Sequence, residues 1–231
     1  MSRAQAPGRD RCAATHFRIA VLISGEGSNL QALLDDMHGA SPSSRGEPSI
    51  EVAAVASSRA EARGLERAEH AGVETAVFSL AEEPDRAKRD EALAAWLEER
   101  EVELVVLAGF MELLTPAFIR RFAGRIVNVH PALLPAFPGL GAIEQAVEHG
   151  VKVAGVTVHF VDEGVDSGPI VLQEAFELPY HRDIAATRQL FHEVEHRLLP
   201  RAVRLIAAGR VSLDPDNPRL VTVAPAERAD G

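Results

Sequence analysis

Asn128 and His130 stand one residue apart in Ile126-Val127-Asn128-Val129-His130-Pro131-Ala132-Leu133-Leu134-Pro135, a short apolar run that ends in a proline-punctuated loop. In an extended chain, residues i and i+2 project to the same side, so the two polar side chains look into one space. The amide offers an N–H donor, and the imidazole titrates near neutral pH. A donor for a developing oxyanion beside a proton carrier suits acyl transfer. A lone histidine at a strand end is more often structural. Here the neighbouring amide and the position favour chemistry, because ligands of open α/β sheets bind beyond the carboxyl ends of the strands.

Three other stretches carry residue types that could bind or react. Gly25-Glu26-Gly27-Ser28-Asn29 follows an apolar run and opens a helical one. Backbone N–H groups at such a junction bind anions, and glycine admits a ligand close to the backbone. Leu30 occupies the place of the third glycine of a dinucleotide fingerprint, and no lysine follows as in a Walker loop. The stretch is therefore either a cradle for a phosphate monoester or a tight turn capped by Ser28 and Asn29. Val161-Asp162-Glu163-Gly164-Val165-Asp166-Ser167-Gly168-Pro169 is either an ordinary acidic turn or the source of a carboxylate facing His130. Such a carboxylate would orient the imidazole and raise its pKa. Its acids lack EF-hand spacing, and no metal is expected. Ala108-Gly109-Phe110-Met111-Glu112-Leu113-Leu114 either lines a flat aromatic pocket or packs into the core.

The elements that must hold these residues alternate. Apolar runs at Phe17–Ser24, Glu51–Ser57, Val73–Phe78, Glu103–Ala108 and Arg125–Val129 predict buried strands. Helical spacing recurs at Leu30, Leu33, Leu34 and Met37, over Ala60–Ala71, and over Asp85–Glu99. Thr115-Pro116 reads as an N-cap followed by proline at the first helical position. A helix near Ala142–His149 precedes strands at about Val153–Val161 and Ile170–Leu178, whose short connection predicts a hairpin. A long helix follows over Ile184–Ala208 and stops at Gly209. The fold expected is α/β: a mainly parallel, doubly wound, Rossmann-like sheet with a C-terminal hairpin and a long C-terminal helix. Residues 1–16 read as a disordered leader, 17–210 as one domain and 211–231 as a tail with a short hairpin. Ser41–Pro48 reads as a loop.

The chain has 231 residues, 34 acidic against 24 basic side chains, and a formal net charge of −10. This length suits one large α/β domain or two small ones. The acidic balance argues against a general nucleic-acid or anionic-membrane binder. The single cysteine, Cys12, precludes an intramolecular disulfide and a cysteine-based metal site. No apolar run approaches the ~20 residues of a membrane span, and a cytoplasmic location is expected.

In order and spacing, S-G-E-G-S-N-L-Q-A-L, L-E-R-A-E-H-A-G-V, V-L-A-G-F-M, I-V-N-V-H-P-A-L-L-P-A-F-P-G, V-T-V-H-F-V-D-E-G-V-D-S-G-P-I and E-V-E-H-R-L-L-P resemble the phosphoribosylglycinamide formyltransferases (GAR transformylases). The resemblance runs from about Phe17 to Gly209. It implies that a formyl group passes from 10-formyltetrahydrofolate, a co-substrate, to the amine of glycinamide ribonucleotide, without a metal. It implies Asn128, His130 and Asp166 as the catalytic trio. Gly27, Ser28 and Asn29 become a phosphate loop whose turn Gly25 shapes, with Arg86 at the ribonucleotide phosphate and Glu195 as a further contact to the ribonucleotide. Met111, Glu112, Leu113 and Leu114, with the loop Val161, Asp162, Glu163, Gly164, Val165 and Asp166, become the folate pocket. The partners implied are these two small molecules, with no nucleic acid and no membrane, and the enzyme is a monomer or homodimer.

Three positions depart from the family's pattern. Glu112 replaces a basic residue near the folate's glutamate tail, which weakens polyglutamate binding. Gly141 replaces a histidine, and His192 stands where lysine is frequent beside the substrate phosphate. Two relatives share the formyl-transfer core. A formyltetrahydrofolate deformylase carries an additional N-terminal regulatory domain, for which a leader of 16 residues is too short. A methionyl-tRNA formyltransferase carries a C-terminal RNA-binding domain, to which the acidic tail is unsuited. A non-catalytic nucleotide- or folate-binding module is the alternative from another class, against which the retained trio speaks.

Overall fold

The computed structural model describes residues 16–39, 48–179 and 183–225. Most of the expected leader, the Ser41–Pro48 loop up to residue 47, and the last six residues of the tail lie outside that range.

Seven strands form one sheet in the order β3-β2-β1-β4-β5-β6-β7. They are β1 (Phe17–Ile23), β2 (Ile50–Ser57), β3 (Glu74–Val77), β4 (Leu104–Leu107), β5 (Ile126–His130), β6 (Val153–Phe160) and β7 (Ile170–Glu177). The first five in chain order pair in parallel, while β6 runs antiparallel to both β5 and β7. The parallel strands are continuous apolar runs because helices cover both of their faces. Helices α1 (Ser28–Met37), α2 (Arg63–His70) and α6 (Ile184–Ala207) pack on one face, and α3 (Arg86–Glu99) and α4 (Pro116–Arg121) on the other. A short α5 (Ala142–Glu148) follows β5, and β8 (Val211–Leu213) pairs with β9 (Val221–Val223) as a terminal hairpin.

Strand alternation assigns every residue of β5 and β6 to a face. Val127, Val129, Val156 and Val158 join the core under α1 and α6. Ile126 belongs to the core under α3 and α4, and so Asn128 and His130 project to that second side. The register sets Asn128 opposite His159 and His130 opposite Thr157. Four polar side chains are thereby gathered on the sheet face where the helical cover stops.

Caps fix the helix starts. Asp85 accepts from Ala87 N at 2.9 Å, Asp183 from Ala185 N at 2.9 Å, and Thr115 precedes Pro116 as expected. The helix expected over Ala60–Ala71 begins only at Arg63, because Ala62 is extended and its N–H closes a turn onto Arg59 O. Pro200 lies inside α6 and has no N–H for the carbonyl of His196.

Candidate active site

His130 is gripped at both ring nitrogens. Nε2 donates to Phe137 O at 2.8 Å, and Nδ1 lies 3.4 Å from Asp166 Oδ2. Phe137 and Asp166 both adopt φ of 50°, a left-handed conformation that costs a non-glycine residue about 1–2 kcal/mol. The strain falls on the two residues that hold the imidazole. Asp166 Oδ2 also accepts from Gly139 N at 2.7 Å, and Oδ1 accepts from Asn128 Nδ2 at 3.3 Å. Burial works against the Asp166 carboxylate. The His159 ring, the Gly139 N–H and the facing His130 outweigh it and hold its pKa below the ordinary value.

His159 completes the group. Its Nδ1 donates to Phe160 O at 2.8 Å, since a carbonyl can only accept; Nε2 lies 3.2 Å from Asn128 Nδ2 and 3.5 Å from Asp166 Oδ1, accepting from the amide in the neutral ring and donating to the carboxylate in the charged one. The neutral tautomer fixes which way the Asn128 amide faces. Thr157, opposite His130, holds the loop after β5: its Oγ1 donates to Ala132 O at 2.6 Å and accepts from Leu134 N at 3.1 Å.

The glycine loop opens α1 as expected. Gly27 is its N-cap with φ of 70°, and a Cβ there would meet Gly64 Cα at 2.6 Å. Both facts demand glycine. Beside Gly25 nothing lies within 4 Å of a notional Cβ, so that glycine leaves open space instead of answering a close approach. Asn29 is buried and donates from Nδ2 to Glu195 Oε2 at 2.9 Å, while its Oδ1 is buried without a partner among the described residues. Burial, only partly offset by the Asn29 bond, raises Glu195 to a pKa of about 7. Arg86 is exposed at the first turn of α3, and no hydrogen bond ties it to the glycine loop among the described residues.

The Gly109–Leu114 stretch does both things that its pattern allows. Phe110 and Leu114 pack on the core under α3 and α4, while Met111 and Leu113 are each 59% exposed. Leu140 and Val165 are exposed as well. Three backbone contacts pin the stretch: Met111 N donates to Ser24 Oγ at 2.8 Å, Leu113 O accepts from Arg89 Nη2 at 3.3 Å, and Thr115 N donates to Asp90 Oδ2 at 2.6 Å. Arg89 and Asp90 form a fully buried ion pair at 2.6 Å, and Arg89 Nη1 lies 3.6 Å from Glu112 Oε2. In the second loop only Asp166 turns toward His130. Asp162 Oδ1 accepts from Gly164 N and Ser167 Oγ within its own loop, Glu163 pairs with Arg120 at 2.8 Å, and Val161 packs on the core. Gly141 caps α5 with φ of 71°, a conformation that histidine adopts only under strain. His192 is half-buried; burial, then Arg188, lowers its pKa.

Residues 17–203 match the formyl transferase family. The chain belongs to that family. Among formyl transferases it is 40% identical over 196 residues to the phosphoribosylglycinamide formyltransferase of Haemophilus influenzae, covering 85% of this chain and 90% of that protein. It is 43% identical over 196 residues to the human trifunctional purine biosynthetic protein adenosine-3. That alignment covers 85% of this chain but only 19% of the human protein, so the chain spans under a fifth of that relative. The structure of glycinamide ribonucleotide transformylase 1 from Symbiobacterium toebii superposes with a TM-score of 0.82 at 47% identity, covering 91% of this chain and 95% of that one. The doubly wound sheet read from the sequence is the fold of these formyl transferases.

The sequence reading of this formyl transferase passed over His159, Thr157, Ser24, Arg89 and Asp90. The alternation in Val156-Thr157-Val158-His159-Phe160 already placed the first two on one side of a strand. Only the register against β5 shows which residues they face.

Proposed function

We propose that the chain transfers the formyl group of 10-formyltetrahydrofolate to the amine of glycinamide ribonucleotide, giving formylglycinamide ribonucleotide and tetrahydrofolate in de novo purine synthesis. The observation that carries this reading is the His130–Asp166–Asn128 cluster at β5, on the same carboxyl edge of the parallel strands as the pinned apolar loop after the neighbouring β4 and the glycine loop after β1. The amine attacks the formyl carbon, forming a C–N bond and a tetrahedral centre with an oxyanion. Asn128 lies where an amide N–H can meet that oxygen. Its two protons now point at His159 and Asp166, and the 3.3 Å bond to Asp166 is the longer one and the one that yields. His130 takes the amine proton on Nδ1, as an imidazolium paired with Asp166, and passes it to N10 of the folate as the C–N10 bond breaks.

The remaining assignments have separate support. Gly25, Gly27, Ser28 and Asn29 supply the ribonucleotide's phosphate loop, with Arg86 as an exposed cation that reaches the phosphate from the start of α3. The buried, unpartnered Asn29 Oδ1 and the Glu195 carboxyl offer acceptors to the ribonucleotide's hydroxyl and amide groups. Met111 to Leu114 and Val161 to Asp166 hold the folate, and the exposed Met111, Leu113, Leu140 and Val165 give its aromatic ring an apolar lip. Residues 17–210 form the transferase unit and 211–231 a tail. No described helix is long and apolar enough to cross a membrane. The reading places the enzyme in the cytoplasm, as a monomer or homodimer acting on small molecules without nucleic acid.

The test is an absorbance assay of tetrahydrofolate release from 10-formyltetrahydrofolate. Release that requires glycinamide ribonucleotide, with the formylated product seen by mass, supports the proposal. Release without the ribonucleotide identifies a deformylase and overturns it.

A further inference from the structure

A separate cavity of about 550 Å³ lies along the second half of α6, against Asp36 of α1. Its walls carry Arg197, Arg201, Arg204 and Arg210, a convergence that is unexpected in a chain of formal charge −10. Two of these cations are neutralised. Arg204 Nε pairs with Asp36 Oδ2 at 2.7 Å, and Arg197 pairs with Glu174 of β7. The other two have no acidic partner among the described residues. Arg210 donates from Nε and Nη2 to a neutral acceptor, Ala224 O, at 3.0 and 2.7 Å. Arg201 is exposed and makes neither a hydrogen bond nor an ion pair among the described residues. Two guanidinium groups without an acidic partner among the described residues line one cavity and favour an anion there.

The wall of the cavity also includes His196. The Nε2 atom of His196 is buried with no partner among the described residues, and Pro200 leaves the His196 carbonyl without its helical donor. Forked guanidinium groups match phosphate oxygens in bidentate geometry and also stack on planar rings. The volume is within the range of small-molecule sites.

We propose that this cavity binds a nucleoside polyphosphate, with Arg201 and Arg210 on the phosphates and the base stacked on a guanidinium plane of the same lining. The site shares no residue with the candidate active site, although His196 follows Glu195 directly in the chain.

The test is calorimetric titration of the full chain with magnesium-free ATP, in the presence of saturating glycinamide ribonucleotide so that the glycine loop is filled. Pyrophosphate and adenosine serve as partial ligands, and the Arg201→Gln/Arg210→Gln variant is compared with Arg201→Gln alone, which alters one exposed side chain. Binding of ATP that exceeds both partial ligands and weakens by about tenfold or more in the variants supports the site. Absence of binding at millimolar ATP overturns it. So does binding that the variants leave unchanged, or pyrophosphate binding equal to ATP. None of these readouts depends on formyl transfer.

Discussion

Asn29 Nδ2 donates to Glu195 Oε2 at 2.9 Å, joining residues 166 positions apart in the chain. The bond ties the glycine loop after β1 to the middle of α6, two elements that meet only because both pack on the same sheet face. It also buries a carboxyl group whose one hydrogen-bond partner among the described residues is a neutral amide.

That burial sets a pH dependence. Glu195 has a folded pKa of about 7 against 4.5 for the free group. Between those values the folded chain holds a proton that the unfolded chain releases. The stabilising effect is therefore complete below about pH 4.5 and is lost as pH rises through 7. Glu195→Gln cannot titrate, so its stability relative to the parent should climb from pH 5 to pH 8 by on the order of 3 kcal/mol. Urea unfolding at the two pH values measures this. A gap that stays constant or narrows toward pH 8 contradicts the raised pKa.

The catalytic assignment predicts a separation of activity from folding. Asp166→Asn keeps a residue that tolerates the left-handed backbone but removes the charge facing His130. Asp166→Asn and His130→Ala should each lower kcat by about 10²–10⁴-fold, with far smaller changes in thermal melting. Stopped-flow or steady-state kinetics beside a melting curve decides it, and an unaltered kcat in either variant removes that residue from the mechanism.

His159 should act through Asn128. His159→Leu deletes the acceptor that orients the amide and should reduce kcat by up to about 10²-fold, the scale of a small misplacement, with smaller effects on both KM values. His159→Gln retains an acceptor and should recover part of the loss. Equal activity in the two variants would show that the ring serves packing alone.

Glu112 should influence folate choice. It shares the buried Arg89 with Asp90, leaving the group one negative charge in excess. Glu112→Gln should lower KM for a triglutamyl formyl-folate relative to the monoglutamyl form by about threefold, as for one partly screened charge. If the ratio of the two KM values does not move, the glutamate tail lies elsewhere.

The strand and helix pattern was legible because buried strands and amphipathic helices imprint period and apolarity on local sequence. Asn128 and His130 were legible for the same reason: their i, i+2 spacing alone places them together. The acceptor that holds Asn128 was not, because a strand's alternation names its two faces but not its partner's register. The antiparallel turn at β6 sets His159 against Asn128, and no local signal encodes that pairing. Arg86 shows the converse limit. The resemblance implies a phosphate for it, yet among the described residues no hydrogen bond ties it to the glycine loop.

The polar quartet Asn128, His130, Thr157 and His159 depends on one register between β5 and β6. Inserting or deleting a single residue in either strand would exchange the faces of that strand beyond the change. Val127 and Val129, or Val156 and Val158, would then meet solvent, and an amide, a hydroxyl or imidazoles would be driven into the apolar layer under α1 and α6. Length changes between Ile126 and Phe160 should therefore be tolerated only in the part of the connection beyond Gly139, where the chain can lengthen without re-indexing either strand or moving Phe137 and Gly139 away from His130 and Asp166.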